Sequence, residues 1–167
     1  MRTTRWLFGA GLALAAALLA AQAAAAQGKY NGEDRGRPVL PTQTHAKWQQ
    51  ECSGCHMAFA PGLLPAASWR KVMSGLDKHF DSDATLAPQD VAEITDHLVK
   101  YASNRWTAPT SPLRITEAEW FKTKHNTSHV PLDVWSRASV KSRSNCVACH
   151  RNAERGDFDE RGVKIPQ

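Results

Sequence analysis

The stretch Cys52-Ser53-Gly54-Cys55-His56 recurs, with different middle residues, as Cys146-Val147-Ala148-Cys149-His150. Nothing else in the chain restricts its fold so strongly. Two thiols one tight turn apart, with a histidine directly after the second, form the attachment signature of a c-type haem. Each thiol adds across one of two neighbouring vinyl groups on the porphyrin edge, which fixes the spacing. The histidine then lies beneath the iron as its proximal ligand. Two covalently attached c-type haems are therefore expected, held through Cys52, Cys55, Cys146 and Cys149, with His56 and His150 on the irons.

Two other readings of paired cysteines compete with this one. Four thiolates can bind a structural zinc, and one pair can act as a thioredoxin-like dithiol. Both leave the two histidines unexplained, and no β-α-β pattern surrounds either pair. The motifs use all 4 cysteines, so no disulfide competes for them.

At the start of the chain, Arg2 and Arg5 precede an apolar run from Trp6 to Ala21, followed by alanines that offer cleavage sites near Ala23 to Ala26. That layout is a secretory signal peptide over residues 1–26. An uncleaved anchor is the alternative, because the run approaches the length that spans a bilayer. Its alanine and glycine content, and Gln22 interrupting it, favour cleavage. Bacterial haem attachment takes place outside the inner membrane, so the expected location is the periplasm. Loss of Arg2 and Arg5 takes the net charge from +5 to +3. Two haems add roughly −4 from propionates against about +1 per ferric core, leaving the holoprotein near neutral. No basic cluster with interleaved aromatics appears, so neither nucleic acid nor a membrane surface is an expected partner.

The remaining residues suit one domain or two small haem lobes. Residues 27–41 carry Gly28, Gly32, Gly36, Pro38 and Pro41 and read as an extended lead-in. A first haem-binding half over 42–104 is expected to open with a short helix from Thr42 to Gln50, followed by a loop from Met57 to Pro65. Beyond Pro65, Trp69, Val72, Met73, Leu76, His79 and Phe80 recur at helical spacing. Pro88 opens another helix, with the stripe Val91, Ile94, Leu98 and Tyr101 and with His97 beside it. A linker at 105–112 leads to a second haem-binding half at 113–167. There Thr116-Glu117-Ala118-Glu119 matches a capping box, and Ser144 or Asn145 can cap a short helix bearing the second motif. No strand pattern of any length appears. The expected fold is all-α, short helices and loops packed around two haems.

Five further histidines are candidates for the far side of the irons: His45, His79, His97, His125 and His129. Methionine is the usual rival. Met57 adjoins His56 on the wrong side, and Met73 lies on the core stripe, where methionine commonly fills gaps. Two histidine/histidine haems follow, with low reduction potentials. His79 is first choice for the first iron, because it ends the inward face of the helix after that haem's loop. His125 is first choice for the second, four residues from Phe121, with His129 as its rival.

The words Glu51-Cys52-Ser53-Gly54-Cys55-His56-Met57-Ala58-Phe59, Pro61-Gly62-Leu63-Leu64-Pro65, Ser68-Trp69 and Leu76-Asp77-Lys78-His79-Phe80 resemble the bacterial dihaem cytochrome c family. So do Pro112-Leu113-Arg114-Ile115-Thr116-Glu117, Trp120-Phe121, Asn145 to His150, and Ala153-Glu154-Arg155-Gly156-Asp157. The resemblance implies bis-histidine haems and a periplasmic electron-transfer role. It implies as partners a soluble, oxygen-binding monohaem cytochrome c or a membrane cytochrome of the b type. The family's histidine before phenylalanine matches His79, and its histidine after tryptophan-phenylalanine matches His125. Asn126-Thr127-Ser128-His129 makes this stretch slightly longer than the family's usual form, which keeps His129 open.

The leading expectation is an electron carrier rather than an enzyme, with no small-molecule substrate, since a six-coordinate iron offers no open position. The alternatives are a dihaem electron-transfer subunit of a periplasmic reductase complex, such as that of nitrate reductase, and a small dihaem peroxidase, for which the chain is short. Charge is also divided. From Asp77 to Asp96, six acids face only Lys78, whereas from Trp120 to Arg151, six bases face only Asp133. Ordinary solvated faces explain this, or docking surfaces of opposite sign for a donor and an acceptor.

Overall fold

The computed structural model describes residues 39–41, 44–104 and 111–167. The expected signal peptide over residues 1–26, most of the expected lead-in and residues 105–110 of the expected linker lie outside the described residues. Among those described, helices and turns account for the regular structure, and no strand is present, in agreement with the all-α expectation.

Helix α1, Ala46–Cys52, starts from an uncommon cap, since His45 Nδ1 accepts the Trp48 N–H at 3.1 Å. A ring nitrogen there does what a serine or aspartate oxygen usually does. The helix ends at Cys52 itself, and the Ser53 hydroxyl donates to Gln49 O at 2.6 Å. The first motif therefore leaves a helix end in a tight turn. Met57 to Leu64 then folds over a 3₁₀ turn at Pro61–Leu63, locked by the Trp69 indole N–H donating to Pro61 O at 2.8 Å.

Pro65 precedes helix α2, Ala66–Met73, and Arg70 and Lys71 sit in its last turn, where cations complement the exposed carbonyls. The helical spacing predicts continuation through His79 and Phe80, but α2 stops at Met73. Gly75 and a separate 3₁₀ turn at Leu76–Lys78 carry the chain to His79. Phe80 and Asp81 then adopt φ of 49° and 74°, and Ser82 N–H closes on His79 O at 3.0 Å. Two left-handed residues at the centre of such a turn define type I′, so the backbone reverses directly after His79.

Helix α3, Pro88–Lys100, opens on Pro88 as expected and is the longest described element. It packs on α1 and α2 around Trp48, Ala58, Leu64, Trp69, Met73, Ile94 and Leu98. Met73 is a core residue, 6% exposed, as its place on the stripe implies. Each of these large side chains contributes about 1.5–3 kcal/mol of burial.

Residues 111–167 contain one short helix, α4, Glu119–Lys124, and a series of 3₁₀ turns at Ile115–Glu117, Leu132–Ser136, Cys146–Ala148, Ala153–Arg155 and Glu160–Gly162. The capping box does not form. Ala118, with no side-chain hydrogen bond, precedes α4, because Thr116 is taken into the preceding turn. Asn145 likewise does not cap the second motif, and its Nδ2 donates back to Val140 O at 2.9 Å. Phe121, Val134, Val140 and Ala153 are buried in this segment. The end of the chain is tied to it by Arg137 Nη1 on Pro166 O at 2.6 Å and Lys164 N–H on Cys149 O at 3.0 Å.

Candidate haem centres

The structure brings the motif histidines together with two of the five candidates. The His56 and His79 ring centres are 6.2 Å apart, and those of His125 and His150 are 6.1 Å apart. These distances can be tested against a haem iron. With a metal–nitrogen bond of about 2 Å and each ring nitrogen roughly 1 Å from its ring centre, two imidazoles on opposite faces of one metal sit roughly 6 Å apart, centre to centre. Both pairs fit.

The hydrogen bonds agree with that reading. His56 Nδ1 is 2.8 Å from Met57 O, and His125 Nδ1 is 3.0 Å from Phe121 O. A carbonyl can only accept, so Nδ1 carries the proton and Nε2 keeps its lone pair. Such a backbone contact fixes the tautomer and orientation of a metal-binding histidine. Burial holds His79, His125 and His150 below the ordinary histidine pKa, in the neutral form that binds metal.

Aromatic rings surround both pairs. Phe59 lies 4.8 Å from His56, and Phe80 lies 4.7 Å from His79. In the second pair, Phe121 stacks on His125 at 4.0 Å, Trp135 lies 6.1 Å from it, and Phe158 lies 5.3 Å from His150. Phe121 was legible from its spacing to His125. Trp135 and Phe158 were not, because each arrives on a turn with no periodicity to mark it.

Cys52, Cys146 and Cys149 are partly buried and Cys55 is exposed, and burial pushes the Cys52 and Cys146 thiols up to about 11. Among the described residues, no group of three or more histidine, cysteine or acidic side chains converges as metal ligands would. No disulfide joins any of the four cysteines, which leaves all of them for thioether attachment.

The other histidines stand apart from these pairs. His129 is exposed, its Nδ1 3.2 Å from Asn126 Oδ1. His45 caps α1, and its Nε2 lies 3.0 Å from Glu93 Oε1. Its ring centre is 4.9 Å from that of His97, which is 7% exposed and whose Nε2 has no hydrogen-bond partner. Together with Thr44, Glu93, Asp96, Lys100 and Tyr101 they line a cleft of ≈ 360 Å³.

Comparisons with known proteins point the same way. The family model for dihaem cytochrome c matches residues 48–158. Two solved structures of a dihaem cytochrome c from Rhodobacter sphaeroides are similar to this chain. One is 40% identical with a TM-score of 0.63, covering 69% of this chain and 97% of that one. The other is 42% identical with a TM-score of 0.62, covering 70% and 98%. A dihaem cytochrome c from Shewanella baltica is 39% identical with a TM-score of 0.64, covering 72% of this chain and 92% of that one. No curated protein matches. A repeated Cys-x-x-Cys-His motif, two histidine pairs at the spacing of one iron, and a family match through both motifs lead to one assignment: the chain belongs to the dihaem cytochrome c family and carries two c-type haems.

Proposed function

We propose that the protein is a periplasmic electron carrier in which each iron is held between two histidines. His56 and His79 serve the first, joined to the chain through Cys52 and Cys55. His150 and His125 serve the second, through Cys146 and Cys149. The observation that carries this reading is the pair of matched ring separations, 6.2 and 6.1 Å. Residues 42–104 and 113–167 are the two haem-binding halves, and residues 1–26 the export signal.

The haem supplies a one-electron ferric/ferrous couple. The protein supplies the limits on its use. Held by two histidines, each iron would offer no open position to oxygen or peroxide, which leaves the electron as the cargo. The Met57 and Phe121 carbonyls, accepting from the Nδ1–H of His56 and His125, increase the basicity of those ligands and favour the ferric state. The redox partners proposed are a membrane cytochrome of the b type and a soluble monohaem cytochrome c. Among the described residues, no helix is long and apolar enough to cross a membrane.

Potentiometric titration of the holoprotein under visible spectroscopy tests the reading. Two reversible one-electron steps at low potential, no carbon monoxide binding on reduction and no peroxide turnover are expected. Rapid carbon monoxide binding, or peroxide turnover above that of free haem, would contradict it.

A further inference from the structure

The turn leading into the second motif presents an apolar side chain among cations. Val147, between the two cysteines, is 37% exposed, and among the described residues the one other exposed large hydrophobic is Leu132, at 66%. Lys141, Arg143 and Arg151, all exposed, flank it along the chain.

This presentation is held in place by specific bonds. Val140 is 1% exposed, and its carbonyl accepts both the Ser142 N–H at 2.8 Å and Asn145 Nδ2 at 2.9 Å. The first of these closes a three-residue turn around Lys141, whose φ is 65°, the rarer and strained hand of γ-turn. A non-glycine residue persists there only where its neighbours over-determine the backbone. The Ser142 and Ser144 hydroxyls, 2.8 Å apart, tighten the same loop. The Arg143 guanidinium lies over the Trp135 ring at 4.9 Å, and Trp135 in turn lies 6.1 Å from His125. A surface cation is thus two contacts from the second histidine pair.

Of the acids in this segment, Asp133 pairs with Arg137, Asp159 with Arg161 and Glu160 with Lys124, while the exposed Asp157 accepts from the Asp159 N–H and Asn152 Nδ2. Beyond Arg151, the exposed Glu154 is followed by exposed Arg155. The charged side chains nearest Val147 along the chain, Lys141, Arg143 and Arg151, are all cationic, whereas the turn after His79 carries exposed Asp81 and Asp83.

We propose that the surface formed by Lys141, Arg143, Val147 and Arg151 docks an acidic one-electron redox protein at the second haem. The proposal rests on the electron-carrier reading and specifies its partner. Cations at the rim steer the encounter, and Val147 gives a dry contact beside the attachment site. In the transfer, the partner's reduced centre loses one electron and the second iron, ferric beforehand, gains it. No bond forms or breaks.

Stopped-flow reduction of the holoprotein by reduced flavodoxin, an acidic one-electron donor, tests the proposal. At low ionic strength, the double variant Lys141→Glu/Arg143→Glu should be reduced about tenfold more slowly than wild type. A control with Arg70→Glu/Lys71→Glu, exposed on α2, should stay within about twofold. If the double variant does not fold, Arg151→Glu and the salt dependence of the wild-type rate carry the test, and both rates should fall. A wild-type rate indifferent to salt, an unaffected double variant, or an equal loss in the control overturns the proposal. A wild type reduced by dithionite but not by flavodoxin contradicts the docking proposal alone. Failure of reversible reduction by dithionite contradicts the electron-carrier reading beneath it.

Discussion

The guanidinium of Arg114 lies 4.2 Å from the centre of the Phe80 ring, so a residue after the linker rests on the side chain that follows His79. A bulky residue at φ 49° is costly, and the Arg114 cation on the ring and the His79 ring at its edge are the contacts that offset it. Burial, His56 and Arg114 together lower the His79 pKa. The same Arg114 charge favours the less positive state of an iron bound there. Arg114→Ala should therefore lower the first haem's potential by roughly 20–60 mV, about two- to tenfold in its reduction equilibrium, with solvent screening setting the lower end. The second potential should stay fixed, and Arg114→Lys should restore most of the first. A spectroelectrochemical titration resolving both centres reads this directly, and an unchanged first potential would remove Arg114 from the account.

Gly156 has φ 73°, and a Cβ built there would lie 2.8 Å from Leu40 Cγ. Both backbone strain and collision follow from any side chain. Gly156→Ala should lower stability by about 1–3 kcal/mol, from the left-handed conformation and the displaced leucine together. Thermal melts followed by circular dichroism measure it, and a variant as stable as wild type would show that Leu40 moves freely.

His97 is buried beside His45, Trp48 and Tyr101, and burial, reinforced by His45 and Lys100, lowers its pKa below 6.5. Glu93 and Asp96 also line the cleft. The folded state therefore disfavours the protonated ring. Stability from this residue is complete above the unfolded pKa of about 6.5 and is lost as pH falls through it towards the folded value. Urea unfolding of the holoprotein between pH 8 and 5 should show acid destabilisation that His97→Phe reduces. Equal pH slopes in both proteins would assign the loss to other groups.

The sequence carried the chemistry further than the backbone. Two Cys-x-x-Cys-His motifs are a covalent constraint and stand out without any structure, and Ile94 and Leu98 on α3 follow from a sustained helical period after Pro88. The apparent period from Trp69 to Phe80 failed at Gly75. His79 comes within 6.2 Å of His56, ring centre to ring centre, through a 3₁₀ turn and a type I′ reversal rather than along the helix that the spacing predicts. Thr116 fits the capping pattern but is used by an earlier turn, a choice that local pattern cannot reveal. Trp135, Phe158 and the Phe80–Arg114 contact depend on pairings across long separations, which a short-range reading does not encode. His129 and His125 differ in the structure by exposure and by what each faces, the Asn126 side chain for His129 and the His150 ring for His125, neither of which is readable from a spacing of four residues.

The second candidate pair gives a prediction of its own. His125 faces His150, whereas His129 is exposed on the Asn126 side chain. In carbon monoxide titrations of the reduced holoprotein, His125→Ala should take up about one equivalent, because one face of one iron is opened. His129→Ala should take up none. The reverse outcome would exchange the two histidines.

Low-temperature electron paramagnetic resonance of the oxidised holoprotein, recorded for the wild type and for His79→Ala, tests most directly whether a histidine closes each iron on its far side. Two low-spin ferric signals are predicted for the wild type, with one of them replaced by a high-spin signal in the variant. A substantial high-spin signal in the wild type, or two unaltered low-spin signals in His79→Ala, would contradict the account.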